Sequence, residues 1–258
     1  MPPPAGASSS LRLPARYYRS YPPGAPLGYA MEELELVPDE TVFALIDVYG
    51  KGFDDDADLG DAPEFYRRTA EANRAIVRDH IVPARAAARR AGVPVVYVTN
   101  YLSPGLTARS EWRQMSLRTV GIDVLEAWQE PNEILAFSDV IAPGPDEPVI
   151  RKQLYSGFFE THFDSLLRSM NARTLVMVGF DSRICLGTTA IDAMYRNYRV
   201  VVLRDGTATG EYTETAAGGW ANWMAIRFIE ANVGYTSTSE EWVRSCQTMA
   251  PAPVAGPP

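Results

Sequence analysis

The sequence predicts an α/β protein, a three-layer α-β-α sandwich around a mostly parallel sheet of six strands. Three observations predict it. Apolar runs such as Thr41-Val-Phe-Ala-Leu-Ile46 and Arg199-Val-Val-Val-Leu203 are continuous rather than alternating, as in strands buried on both faces. Helical patterns of apolar residues separate these runs. Asp47, Lys152 and Cys185 all stand at or just past strand ends, where sheets of this kind open their ligand crevice.

In order along the chain, residues 1–30 read as a flexible N-terminal extension. Met1 to Ser10 carries no basic n-region or apolar h-region, and Pro14 to Gly28 is rich in Pro and Tyr. One domain without internal repeat or linker is expected over 31–248, followed by a flexible tail over 249–258. The first strand, 41–46, ends at Asp47 and leads into an acidic loop from Phe53 to Asp61. A long helical pattern runs from about Pro63 to Ala91, with a kink expected at Pro83. Val93-Pro-Val-Val-Tyr-Val-Thr99 is the second buried strand. Residues 101–147 are irregular apart from an amphipathic piece between Trp112 and Trp128. A short strand from Pro148 to Arg151 delivers Lys152, and a helix follows from about Glu160 to Met170. The strand Thr174–Val178 then runs into a tight turn that ends at Cys185 and opens a helix to about Asn197. The strand at 199–203, a helix from about Thr213 to Ala231, a strand from Val233 to Thr236 and a helix from Ser239 to Cys246 complete the domain.

A formal net charge of −8 argues against nucleic acid or an anionic membrane as partner. Two cysteines do not make a disulfide framework, so a reducing cytoplasm is the simplest home. No apolar run approaches the ~20 residues needed to span a bilayer. Two histidines, His80 and His162, argue against a histidine-rich metal site, and no metal or organic cofactor is expected.

The candidate chemistry centres on Cys185. At a helix N-terminus the free backbone N–H groups and the positive end of the helix dipole favour a thiolate. A thiol at its ordinary pKa of ~8.5 still needs a proton acceptor and a positive neighbour. Asp47 is placed to accept the proton, and Lys152 to stabilise the charges. Each alone has a plain structural reading: a buried apolar cysteine, a helix-capping aspartate, a solvated lysine. Their joint placement at three strand ends favours the chemical one.

Further residues carry a resemblance. Lys152, Tyr155-Ser-Gly-Phe158, Leu166-Leu-Arg168, Gly179 with Cys185, Thr188, Ala190, Asp192, Ala193 and Asp205 together resemble the isochorismatase-like cysteine hydrolases, and most closely their ureidoacrylate and biuret amidohydrolase branch. Asp47 and Asn100 match the same pattern, which extends over about residues 40–240. The resemblance implies a Rossmann-like six-stranded sheet and an Asp47–Lys152–Cys185 triad. It also implies an oxyanion hole from the backbone N–H groups of Asp181 and Cys185, with a cis peptide before residue 181. Asn100, Tyr155, Phe53, Glu211 and Thr209 are the expected substrate contacts. The implied reaction is hydrolysis of a carbon–nitrogen amide bond in a small ureido or carbamoyl compound, by a homo-oligomer without cofactor.

The chain departs from that pattern at three places that bear on substrate. The first strand ends in Asp47-Val-Tyr-Gly-Lys-Gly-Phe53, Asp181 stands where a small residue is usual, and the segment usually rich in His and Gln reads Asp205-Gly-Thr-Ala-Thr-Gly-Glu211. With Glu211 and the acidic loop, Asp181 suggests a welcome for a cationic, guanylurea-like group. The absence of a His and Asp cluster near the second strand sets aside the metal-binding nicotinamidase branch, and Cys185 sets aside isochorismatases proper. The alternatives are a catalytically silent binding or assembly subunit and a non-amide hydrolase of the isochorismatase type. Asp54, Asp55, Asp56, Asp58 and Asp61 fit no ordered calcium loop and read as a solvated face. Trp220, Trp223 and Phe228 read as core or subunit interface, Cys246 as structural, His162 as a cap or packing residue, and Tyr101, Trp112 and Trp128 as candidates for a lid.

Overall fold

The computed structural model describes residues 10–21, 26–54, 57–60, 64–101, 110–123, 135–214 and 217–249. The expected tails at 1–9 and 250–258, Asp55, Asp56, Asp61 and, of the candidate lid residues, Trp128 lie outside them. The six strands expected from sequence are present: β3 (Thr41–Ile46), β4 (Val95–Asn100), β5 (Val149–Lys152), β6 (Thr174–Phe180), β7 (Arg199–Ala208) and β8 (Tyr235–Ser237). They pair in parallel, in the order β8-β7-β6-β3-β4-β5.

The sheet has eight strands rather than six. β1 (Leu11–Arg19) and β2 (Gly28–Leu36) form an antiparallel hairpin that joins the β8 edge. This corrects the flexible extension expected over 1–30, because Leu11, Leu13 and Ala15 alternate into the core and are fully buried. Pro14 argues against a strand in the sequence, since it cannot donate to a ladder. It is tolerated because β1 pairs with β8 only at Arg16↔Thr236.

The helices cover both faces. On one, α1 (Glu64–Ile76), α2 (Val82–Arg90) and α7 (Ser239–Gln247) bury Val77, Ile81, Ala84 and Trp242 against Phe43, Tyr97, Val176 and Val201. On the other, α4 (Phe163–Ser169), α5 (Cys185–Tyr195) and α6 (Trp220–Asn232) bury Phe163, Leu186, Ala190 and Ile229 against Val42, Val98, Met177 and Val202. A further helix among the described residues, α3, spans Ser110–Thr119. The expected kink at Pro83 is met by a π-helical stretch, Val77–Ile81, between α1 and α2. The widened turn accommodates a proline that lacks an N–H and crowds the preceding turn. Glu230 on α6 fastens the hairpin to this body. It is buried, and its Oε1 accepts from Arg16 Nε at 2.7 Å and Thr236 Oγ1 at 2.6 Å. Among the described residues, no helix is long and apolar enough to cross a membrane.

Two features of the sheet position the site. Gly179, near the end of β6, has φ +113°, and a Cβ there would lie 2.0 Å from the Ile46 carbonyl oxygen. Only glycine allows that approach, which sets the cysteine turn against the end of β3. Asp47 follows β3 in the left-handed region at φ 51°, which aspartate tolerates better than most residues. Its N–H donates to the Val98 carbonyl at 2.8 Å, tying it to β4.

Candidate active site

The three sequence-selected side chains meet at the carboxyl ends of β3, β5 and β6. Lys152, the last residue of β5, is wholly excluded from solvent, and its Nζ lies 2.8 Å from Asp47 Oδ2. The same ammonium donates to Cys185 Sγ at 3.5 Å and to Asn100 Oδ1 at the end of β4. Cys185 opens α5 and is half-buried. Asp47 Oδ1 is buried without a full hydrogen bond, although the Cys185 thiol and an Asn100 N–H lie close enough to favour its charge. It is the free lone pair of the site.

Burial raises the Asp47 carboxyl above the ordinary carboxylate range, and the Lys152 cation only partly offsets this. Burial alone would lower Lys152, but the charges of Asp47 and the sulfur outweigh it and hold the ammonium above the usual lysine value. For Cys185, burial and then the charge of Asp47 push the thiol well up, against the pull of Lys152. Around the thiol, burial and the neighbouring carboxylate act against the thiolate, while the Lys152 cation favours it.

The turn that carries Cys185 is built by Asp181. The Phe180–Asp181 peptide bond is cis, as the resemblance implied. Asp181 Oδ1 accepts the N–H groups of Arg183 at 2.8 Å and Ile184 at 3.3 Å, and Oδ2 accepts the Thr209 hydroxyl. The Asp181 carbonyl takes the N–H groups of Ile184 and Leu186. Ser182 N–H goes to the Ala208 carbonyl, and its hydroxyl to Asn222 Oδ1 on α6. Cys185 N–H belongs to the first turn of α5, where the helix supplies no acceptor. It is thus available, with Asp181 N–H, as a candidate donor to an oxyanion.

The expected substrate contacts divide. Asn100 holds Lys152 through Oδ1 and donates through Nδ2 to the Tyr49 hydroxyl at 2.9 Å. It orients the lysine. Tyr155 is half-buried, edge-on to Trp112 with ring centroids 6.1 Å apart, so α3 packs against the segment after Lys152. Phe53 is core, its ring 6.3 Å from Phe180. Thr209 serves Asp181. The Glu211 carboxylate accepts Ala221 N–H at 2.9 Å and Asn222 N–H at 3.1 Å at the start of α6. With Asp181 also engaged, the two carboxylates expected to welcome a cation work inside the fold. Tyr49 is the residue that sequence reasoning missed. Its one signal was position, two residues after Asp47 in the same turn.

His80 bonds Ser239 Oγ at 2.9 Å, and His162 stands before α4 without a side-chain cap bond. Among the described residues, no three His, Cys, Asp or Glu side chains gather as a metal site would need.

The isochorismatase domain matches residues 63–240 of this chain. The chain belongs to the isochorismatase family. Lys152 and Cys185 lie within the matched segment and Asp47 lies before it, so the fold brings Asp47 to the other two. The ureidoacrylate amidohydrolase RutB of Pseudomonas syringae pv. syringae (strain B728a) is 28% identical over 233 residues, covering 85% of this chain and 88% of the relative. Among solved structures, a cysteine hydrolase from Pseudomonas syringae pv. phaseolicola 1448A superposes with a TM-score of 0.67 at 22% identity, covering 83% of this chain and 95% of that one. The N-carbamoylsarcosine amidase of Thermoplasma acidophilum gives a TM-score of 0.56 at 26% identity, covering 78% and 97%. Isochorismatase-family folds thus match the α/β body and its mostly parallel sheet.

Proposed function

We propose that this isochorismatase-family hydrolase is a cysteine-dependent amidohydrolase that cleaves a carbon–nitrogen bond of a small ureido or carbamoyl compound. The observation that carries the reading is the contact of Lys152 with both Asp47 and Cys185 at the strand ends. The names of the relatives, ureidoacrylate amidohydrolase and N-carbamoylsarcosine amidase, support the substrate class.

In this mechanism, Asp47 Oδ1 accepts the Cys185 proton as the sulfur attacks the substrate carbonyl. Lys152 offsets the negative charge of both. The carbonyl π bond breaks and its oxygen takes the charge, held by the N–H groups of Asp181 and Cys185; such a donor is worth ~10²–10³ in rate. Collapse breaks the C–N bond. The nitrogen leaves with the proton that Asp47 carried, as ammonia or an amine, and a thioester remains on Cys185. Asp47 then takes a proton from water, whose oxygen attacks the thioester, and returns it to the departing sulfur.

The test is ammonia release from ureidoacrylate, biuret, guanylurea, carbamoylsarcosine, maleamate and nicotinamide, each repeated with Cys185→Ser. Release from a ureido or carbamoyl compound that vanishes in the variant is the expected result. Turnover that survives Cys185→Ser would remove the covalent mechanism and favour a non-amide isochorismatase-type hydrolysis. Silence across the panel, with no rise in Cys185 alkylation in Asp47→Asn, would favour a binding subunit.

A further inference from the structure

A cavity of about 510 Å³ opens between α5 and α6. None of Asp47, Lys152 or Cys185 lines it. Its walls are apolar, formed by Ile191 of α5 and Met224, Ala225 and Phe228 of α6. Its floor reaches Ile229, which is almost wholly buried, so this is a concavity into the fold and not only an exposed helix face. Among the described residues, one charged side chain lines it. Arg183 lays its guanidinium over the Tyr212 ring at 4.4 Å from the centroid, and its Nη1 is buried without a hydrogen-bond partner. Glu211, the acidic residue beside Tyr212, has its carboxylate on the α6 N–H groups instead.

We propose that this cavity binds a small amphipathic carboxylate, with an aromatic or branched apolar body against α5 and α6 and its carboxylate on Arg183. The volume lies in the range of small-molecule sites, which are mostly apolar with a few placed polar groups. Arg183 is the charged side chain among the described lining residues, and a guanidinium fork matches a carboxylate better than any neutral acceptor. A second copy of the chain would cover the exposed rim residues Trp220, Trp223 and Phe228. It would not by its apolar surface answer the cation beneath them.

The site is separate from amide hydrolysis, so its test reads binding without turnover. The probe is 3-phenylpropionate, titrated into the full chain by calorimetry and followed by tryptophan emission, because Trp220 lines the cavity. The neutral comparison is 3-phenylpropanol. Saturable binding of the carboxylate, at least tenfold tighter than the alcohol, is expected. Arg183→Gln should remove that tenfold preference. Ala225→Phe, on a different element, should block both probes and keeps the test decisive if Arg183→Gln does not fold. Equal affinity for acid and alcohol, unchanged binding in Ala225→Phe, or no saturable binding at millimolar probe would overturn the proposal. So would a stable dimer that Trp220→Asp dissociates, since a second copy would then occupy the face.

Discussion

Lys152 presents its ammonium to Asp47 Oδ2 at 2.8 Å while its own side chain is wholly excluded from solvent. Two buried charges are tolerable only as a pair, and removing one partner costs far more than the pair contributes. Lys152→Met therefore should destabilise the fold by about 3–5 kcal/mol in urea unfolding, because it strands Asp47. Adding Asp47→Asn should recover most of that loss. An equally unstable double variant would show that Lys152 matters through its packing and not its charge.

Asp47 and Lys152 act on the Cys185 thiol in opposite directions. Asp47→Asn removes the charge that raises the thiol and leaves the cation that lowers it. Turnover should fall by about 10²–10⁴-fold with the loss of the proton acceptor, while alkylation of Cys185 by iodoacetamide at neutral pH should become faster. Slower alkylation in Asp47→Asn would mean that the carboxylate, not the cation, generates the thiolate in the free protein.

The same directions fix two pH dependences. Asp47 must lose its proton to act as base, and its folded value is raised, so the acid limb of kcat/KM should lie above the ordinary aspartate value of 3.8. For stability, a thiol raised in the fold contributes fully below its unfolded value of 9.0 and loses that contribution as pH rises through its folded value. Thermal unfolding should therefore show stability falling above pH 9.0, and less so in Cys185→Ser. An unchanged alkaline profile in that variant would show that the thiol is not raised.

Asn100 places the lysine, and Tyr49 places Asn100. Tyr49→Phe removes one hydrogen bond, worth about 1 kcal/mol, and should lower kcat several-fold with little change in KM. Asn100→Ala should cost about 10²-fold, the scale of a catalytic group misplaced by an ångström. A rise in KM without loss of kcat would instead make Asn100 a substrate contact.

What was legible in the sequence was local. The runs 41–46, 174–180 and 200–203 are strands because every residue in them is apolar or small, and Asp47, Lys152 and Cys185 were found because each sits at or just past a strand end. The hairpin β1–β2 was hidden because its apolar positions alternate and Pro14 interrupts them. The internal partners of Asp181 and Glu211 were hidden for a different reason. Their partners are backbone N–H groups and a hydroxyl that only the turn and the start of α6 bring near. The thiol's upward shift was equally hidden, since it comes from burial among residues more than thirty positions away.

Glu211 allows the sharpest separation of the two readings of an acidic residue near a candidate site. As a cap it satisfies two N–H groups at the positive end of α6 and should be worth about 1 kcal/mol to the fold. Glu211→Ala should therefore lower stability by that amount in urea unfolding. It should leave the ratio of kcat/KM for cationic guanylurea over neutral biuret unchanged. A carboxylate that touched the substrate would behave in the opposite way, because a cation loses a charge partner that a neutral amide never had. Unchanged stability with a tenfold drop in that ratio would move Glu211 from the helix end into the substrate pocket.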